Sequence, residues 1–109
     1  MATRVRVGAV DDFEPGRIHG LEVDGRQLIL VNLDGSFHVL DGICTHAYAE
    51  LAMGFLTGEY VRCPLHLSQF DVETGEAVSP PAEEPLKRYP VEIEDDSVFV
   101  VLDEEFTSP

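Results

Sequence analysis

Residues 21–42 read LEVDGRQLILVNLDGSFHVLDG, and this stretch decides the fold class. An Asp-Gly pair occurs in it three times, at residues 24–25, 34–35 and 41–42, and short apolar segments separate the pairs. Asp-Gly between apolar segments is a turn signal and is typical of tight β-hairpins. The stretch therefore predicts short antiparallel strands, with hairpin turns at residues 24–25 and 34–35.

Short apolar segments of the same kind occur along the rest of the chain, and a further turn at residues 94–97 would join the last two. We predict strands at residues 4–7, 18–23, 27–33, 37–40, 59–62, 91–94 and 98–102. No segment has a long period of 3.6 residues, although residues 47–53 could hold a helical turn. Short strands at close spacing favour an all-β protein, a small antiparallel sandwich or barrel.

The length and composition are those of one globular domain. The chain has 109 residues, of which 44 % are hydrophobic and 26 % are charged, so it can bury one core and is too apolar for disorder. We expect residues 1–109 to form a single domain that ends in an acidic tail at about residues 103–109. We find no apolar stretch that could span a bilayer and no signal peptide, so we expect a cytoplasmic protein.

The chain is strongly acidic. It has 21 Asp and Glu against 7 Lys and Arg, for a net charge of −14, and residues 67–109 alone hold 12 acids against 2 bases. Nucleic acids and anionic membranes would repel such a surface, so we expect neither as a partner. The excess of acids is either a solvated surface, an adaptation to salt, or a face that meets a basic partner.

Two short segments contain a pattern of metal-ligand residue types. The first is Cys44-Thr45-His46 and the second is Cys63-Pro64-Leu65-His66, with sixteen residues between His46 and Cys63. Both cysteines of the chain are therefore followed closely by a histidine, and both segments lie in predicted loops. Thiolate and imidazole ligands that converge from two loops are typical of a metal site.

Three interpretations of these residues compete. A disulfide between Cys44 and Cys63 agrees with the even cysteine count, but it disagrees with the expected compartment and leaves both histidines unexplained. Zinc suits the four donors, yet zinc fingers usually place like ligands together. An iron–sulfur cluster with mixed ligation would use two cysteines on one iron and two histidines on the other.

The pattern resembles the Rieske [2Fe–2S] motif. The similarity continues past the motif and covers nearly the whole chain, through residues 70–71, 74–75, 79–82, 84–91 and 98–100. The resemblance implies one [2Fe–2S] cluster per chain, held in loops at about residues 43–82. It places Cys44 and Cys63 on the inner iron, and His46 and His66 on the outer iron. Because imidazole is neutral, this ligation raises the reduction potential above that of a four-cysteine cluster.

The resemblance also implies supporting roles for neighbouring residues. Apolar side chains would shield the cluster from water, namely Ala47, Tyr48, Leu51, Pro64, Leu65, Leu67 and Pro80 or Pro81. Thr45 and Ser68 could donate hydrogen bonds near the sulfurs. Phe70 stands where high-potential respiratory relatives have a tyrosine, and the chain lacks their two additional cysteines. Both differences indicate a low potential within the Rieske range.

The resemblance implies an electron carrier rather than an enzyme. The chain is most similar to the ferredoxin components of bacterial aromatic-ring-hydroxylating dioxygenase systems. We therefore expect a monomer that passes single electrons from a flavin-dependent ferredoxin reductase to a terminal oxygenase. Two alternatives stay open: the Rieske ferredoxin of a diiron monooxygenase or other hydroxylase, and the small subunit of a nitrite-reductase-like complex.

Overall fold

The computed structural model describes residues 2–44, 49–64, 68–79 and 84–103, which form eleven β-strands and two short 3₁₀ segments. The strands are β1 Ala2–Ala9, β2 Ile18–Val23, β3 Arg26–Leu33, β4 Ser36–Asp41, β5 Phe55–Thr57, β6 Tyr60–Arg62, β7 Gln69–Asp71, β8 Ala77–Ser79, β9 Arg88–Tyr89, β10 Val91–Glu94 and β11 Ser97–Asp103. The 3₁₀ segments are Val10–Asp12 and Leu51–Met53. All paired strands are antiparallel, so the predicted all-β antiparallel fold class is confirmed.

The strands form three sheets. The first sheet has the order β1-β11-β10, the central sheet β2-β3-β4-β9, and the third sheet β5-β6-β7-β8. The central and third sheets contribute to one core, which also contains both cysteines. The central and first sheets contribute to a second core.

Strand β3 is buried on both of its faces because the central sheet contributes to both cores. Ile29 and Val31 belong to the core shared with the third sheet, whereas Leu28 and Leu30 belong to the core shared with the first sheet. All four side chains are at most 1 % exposed. Successive side chains point to opposite faces of a strand, so a strand between two layers needs an unbroken apolar run. The Leu-Ile-Leu-Val run at residues 28–31 meets this need.

The predicted hairpins form at the predicted residues. Val23 pairs with Arg26, and Leu33 pairs with Ser36. In both turns the Asp and the Gly adopt positive φ, as a two-residue hairpin turn requires. Glu94 pairs with Ser97 in the same way across the third predicted turn.

The third Asp-Gly pair, at residues 41–42, is not a hairpin turn. Asp41 ends β4, and Gly42 donates its N–H to the carbonyl oxygen of Gln27 at 2.8 Å. A Cβ at position 42 would lie 2.9 Å from that same oxygen. The glycine is there because two backbone segments approach closely, and the Asp-Gly signal does not distinguish this from a turn.

The boundaries of other predicted elements need correction. Glu59 belongs to a turn and not to a strand, and Asp103 is the last residue of β11, where it pairs with Ala2. Asp103 is therefore not part of the predicted tail, and the other residues of that tail, 104–109, lie outside the described residues. The 3₁₀ segment Leu51–Met53 confirms a helical turn in part of the predicted range, and residues 47–48 lie outside the described residues. Strands β5, β7, β8 and β9 were not predicted from the sequence.

Candidate metal centre

Cys44 and Cys63 each stand at the start of a loop, directly after a segment of β-structure. Cys44 comes after β4 and the isolated bridge between Ile43 and Glu50, and Cys63 is the residue after β6. The two cysteines are 5 % and 0 % exposed, and both belong to the core between the central and third sheets. The structure therefore brings the two predicted cysteine ligands into one buried cluster, although eighteen residues separate them in the sequence.

The two loops are closed by the same kind of backbone hydrogen bond. The N–H of Cys44 donates to the carbonyl oxygen of Ala49 at 3.0 Å, and that of Cys63 donates to the carbonyl oxygen of Ser68 at 2.8 Å. Each bond spans five positions and encloses four residues, 45–48 in the first loop and 64–67 in the second. Each enclosed segment contains one predicted histidine ligand.

Several predicted site residues lie outside the described residues. They are Thr45, His46, Ala47, Tyr48, Leu65, His66, Leu67, Pro80 and Pro81. The histidine half of the predicted ligand set therefore stays a prediction, as do the roles of the other residues in this group.

Apolar side chains surround the two cysteines. Leu51, Val61 and Phe70 are fully buried in the same core. The shielding role of Leu51 stays a prediction. Pro64 is half-buried, and Ser68 is fully buried. These surroundings keep the two thiols away from water.

The segment after the first loop is pressed against the strand that leads to the second loop. Leu51 donates its N–H to Gly42 at 2.8 Å, and Gly54 donates its N–H to Leu51 at 3.0 Å. A Cβ at Gly54 would overlap the carbonyl oxygen of Arg62, the residue before Cys63. Gly54 therefore allows the segment after the first loop to lie close to the backbone of Arg62, just before Cys63. The sequence alone does not identify Gly54 as important, because a lone glycine does not reveal its distant neighbour.

Strand β9 fixes the end of β4, three residues before Cys44. Asp41 donates its N–H to the carbonyl oxygen of Lys87 at 2.9 Å, and Tyr89 donates its hydroxyl to Oδ1 of Asp41 at 2.6 Å. Burial, together with the hydrogen bond to Asp41, raises the pKa of Tyr89 to about 12, against an opposing effect of Arg26. This contact was also absent from the sequence-based prediction.

The other two histidines, His19 and His38, lie in strands β2 and β4 and make hydrogen bonds there. His19 makes a 3.0 Å hydrogen bond with the carbonyl oxygen of Glu14. His38 has Nε2 at 2.9 Å from the Ser36 hydroxyl and Nδ1 at 3.2 Å from the Arg88 guanidinium. Burial, and then the charge of Arg88, lower the pKa of His38.

A group of acids lies at the end of the third sheet that is away from Cys63. The carboxylate oxygens of Glu59, Asp71 and Glu73 lie within 4.8 Å of one another. Oδ1 of Asp71 accepts the backbone N–H groups of Glu73 and Thr74, so this acid stabilises the turn after β7. We call Glu59, Asp71 and Glu73 the acidic group.

The chemistry of the described donors suits an iron–sulfur cluster. Thiolates are the ligands that hold such clusters, and the two thiols here are buried in one apolar core beneath two matched loops. The structure contains no disulfide between Cys44 and Cys63, and both residues are described.

Comparison with known proteins agrees with this chemistry. The family model for the Rieske [2Fe-2S] domain matches residues 3–90. The ferredoxin component of the naphthalene 1,2-dioxygenase/salicylate 5-hydroxylase systems of Ralstonia sp is 35 % identical over 99 residues, which cover 91 % of this chain and 95 % of that protein. No helix among the described residues is both long and apolar enough to span a membrane.

Solved structures give the same result at the level of the fold. The ferredoxin of carbazole 1,9a-dioxygenase from Nocardioides aromaticivorans IC177 has a TM-score of 0.86 at 34 % identity and covers 90 % of this chain and 96 % of that chain. A ferredoxin in complex with the oxygenase of carbazole 1,9a-dioxygenase has a TM-score of 0.85 at 33 % identity, with 89 % and 91 % covered. A nitrite reductase small subunit from Mycobacterium tuberculosis has a TM-score of 0.82 at 23 % identity, with 94 % and 97 % covered, so it shares the fold.

Proposed function

Because the chain belongs to the Rieske [2Fe-2S] domain family, we propose that it is the ferredoxin of an aromatic-ring-hydroxylating dioxygenase system. In this role it accepts single electrons from a flavin-dependent ferredoxin reductase and passes them to a terminal oxygenase. The observation that carries the proposal is the match to dioxygenase ferredoxins over nine-tenths of the chain. The chain is a carrier and has no catalytic residues of its own.

The proposed ligands are Cys44, His46, Cys63 and His66, which would hold one [2Fe–2S] cluster per chain. When bound, the cluster supplies a one-electron redox couple. Cys44 and Cys63 provide the thiolates from within the buried core, and His46 and His66 provide neutral imidazoles from the two enclosed loop segments. All four ligands are used by the cofactor, so no position is open for a substrate. The burial of both cysteines and the matched closure of the two loops support this assignment.

The proposal includes three statements about the whole protein. Residues 1–109 form one Rieske domain with cluster-binding loops at about residues 43–82 and a short acidic tail after Asp103. The protein acts as a monomer in the cytoplasm. Its acidic surface favours a protein partner with a basic face over a nucleic acid or an anionic membrane.

Spectroscopy of the purified protein tests the cofactor. We expect a brown protein with equal iron and acid-labile sulfide, and with a reduced-state EPR spectrum of the Rieske type. The variant His66→Cys, which replaces a neutral ligand with a thiolate, should have a lower midpoint potential if the cluster assembles. A colourless protein that contains one zinc ion per chain would contradict the proposed cofactor and ligand set.

Reconstituted electron transfer tests the partners. The protein should mediate NADH-dependent turnover when it is combined with a dioxygenase-type flavin reductase and an aromatic-ring-hydroxylating oxygenase. Turnover with a diiron hydroxylase, and not with any aromatic-ring oxygenase, would favour the first alternative. Stable copurification with a large catalytic subunit would favour the nitrite-reductase-like alternative, with which this chain shares the fold.

A further inference from the structure

Two large apolar side chains are exposed on consecutive parts of the chain after the first cysteine loop. Met53 is 73 % exposed and Phe55 is 51 % exposed. Two leucines close to them in the sequence point inward instead. Leu51 belongs to the core that contains the cysteines, and Leu56 packs against that core. We call Met53 and Phe55 the apolar pair.

The apolar pair lies in the segment that follows the first cysteine loop, and this segment pairs with the strand that precedes Cys63. Met53 ends the 3₁₀ segment that begins at Leu51. Phe55 is paired with Arg62, the residue that precedes Cys63. Directly opposed residues of an antiparallel pair project to the same face, so Phe55 and Arg62 lie side by side on the outer face of the third sheet. A protein that contacts Arg62 on this face therefore also contacts Phe55.

The outer face of the third sheet changes in character from one end to the other. The end next to Cys63 carries Phe55 and the cation Arg62, whereas the other end carries the acidic group. A partner that binds at the end next to Cys63 therefore contacts the ring of Phe55 and the guanidinium of Arg62. The carboxylates of the acidic group lie at the opposite end of the face. An apolar surface that contains a hydrogen-bond acceptor for Arg62 is complementary to this end.

We propose that the apolar pair is a contact surface for the terminal oxygenase during electron transfer, an inference that rests on the proposed function. A structurally similar ferredoxin is known in complex with the oxygenase of carbazole 1,9a-dioxygenase, so a ferredoxin of this fold can dock on that class of partner. Burial of Met53 and Phe55 against the oxygenase would remove apolar area from water next to the loops.

The size and charge of the surface argue against a second copy of this chain. Two partly exposed side chains offer on the order of 250 Å², whereas a stable dimer buries about 800 Å² on each partner. Each chain also has a net charge of −14, so two copies repel one another. A small apolar contact is sufficient for a transient electron-transfer complex, which lies at the low end of interface sizes.

Transfer kinetics of matched variants test this proposal. Phe55→Ser removes one member of the pair, and Ile93→Ser is the control, because Ile93 is also 51 % exposed but lies on β10 of the first sheet. The reduced holoprotein is mixed with the oxygenase that supports turnover in the reconstituted system, and oxygenase reduction is followed by stopped flow. Phe55→Ser should lower the second-order rate constant about tenfold, as the loss of a buried aromatic contact predicts, and Ile93→Ser should leave it unchanged. Both variants should keep the wild-type visible spectrum and midpoint potential.

Three results would overturn the proposal. The first is a wild-type rate for both Phe55→Ser and Met53→Ser, and the second is an equal loss in Phe55→Ser and Ile93→Ser. The third is a wild-type dimer in sedimentation that Phe55→Ser converts to a monomer, since a second copy would then occupy the pair. If the wild-type protein reduces no oxygenase at all, the proposed function itself has failed, and this is evident before any variant is measured.

Discussion

Phe70 has no exposed surface and belongs to the same core as both cysteines. The resemblance to Rieske proteins places it where high-potential relatives have a tyrosine, and a phenylalanine ring has no hydrogen-bond donor. A donor near a cysteine sulfur stabilises the reduced and more negative state of a cluster more than the oxidised state. The position of Phe70 thus connects a single side chain to the expected low potential.

We predict that Phe70→Tyr raises the midpoint potential by a few tens of millivolts. A difference of about 1.4 kcal/mol between the two oxidation states would move a one-electron couple by about 59 mV, and the difference here should be smaller. Protein-film voltammetry measures the shift, with the visible spectrum as the check that the cluster is intact. An unchanged or lower potential would show that position 70 does not act on the sulfurs.

We also predict that Gly54→Ala destabilises the protein and reduces its iron content. The new Cβ would overlap the carbonyl oxygen of Arg62, so the backbone next to Cys63 must move away from the 3₁₀ segment. Gly16→Ala is the control, because a Cβ added at Gly16 would have no atom within 4 Å. The control therefore incurs only the backbone penalty of its positive φ, about 1 kcal/mol. Equal iron content and equal urea midpoints in the two variants would contradict the assigned role of Gly54.

At the scale of elements, β9 illustrates how a very short strand can position a loop. It has two residues and pairs only with β4, through Val39 with Tyr89 and Leu40 with Arg88, among the described strands. The hydrogen bond between Tyr89 and Asp41 adds a side-chain tie at the point where β4 ends. Because Cys44 follows three residues later, β9 helps to fix the start of the first cysteine loop.

We predict that Tyr89→Phe lowers the free energy of unfolding by about 1.5 kcal/mol near neutral pH, the typical contribution of a hydrogen bond to a charged acceptor. The pKa of Tyr89 is raised in the folded state, from 10 to about 12, so the folded protein holds this proton more tightly than the unfolded chain does. The contribution is therefore complete below about pH 10 and is lost as the pH rises towards 12. Urea unfolding of wild type and variant at pH 8 and pH 11 should show the difference shrinking at the higher pH. A difference of equal size at the two pH values would contradict the assigned role of the Tyr89 hydroxyl.

At the scale of the whole molecule, net charge and local contact have separate roles. The chain carries −14 overall, and the acidic group occupies the end of the third sheet away from Cys63. Charges act over about a Debye length, whereas the apolar pair acts only on contact. We therefore expect the whole acidic surface to accelerate encounter with a partner that has a basic face, and the proposed apolar contact to act only after encounter.

We predict that electron transfer to the oxygenase slows as ionic strength rises. The Debye length falls from about 8 Å at 0.15 M salt to about 3 Å at 1 M, which screens long-range attraction between the acidic carrier and a basic partner. Stopped-flow rates over this range should fall, and the double variant Glu59→Gln/Glu73→Gln should show a weaker salt dependence. A rate that is independent of salt, or that rises with it, would contradict electrostatic steering by the acidic surface.

The sequence by itself determined the features that depend on local structure and on residue identity. Asp-Gly at residues 24–25 and 34–35 predicted both hairpins, because a two-residue turn needs positive φ at these positions and little else. The paired Cys and His residues and the resemblance around them identified the family. The assignment of His46 and His66 as ligands also came from this pattern and stays a prediction.

Only the tertiary structure decided the features that depend on residues distant in the sequence. Strands of two or three residues, such as β9, are too short to have a recognisable period and exist because a neighbouring strand pairs with them. The burial of Cys44 with Cys63, and the contact of Gly54 with Arg62, arise where separate segments pack together. A local pattern contains no information on which distant backbone will lie against it, and the packing of the whole chain supplies that partner.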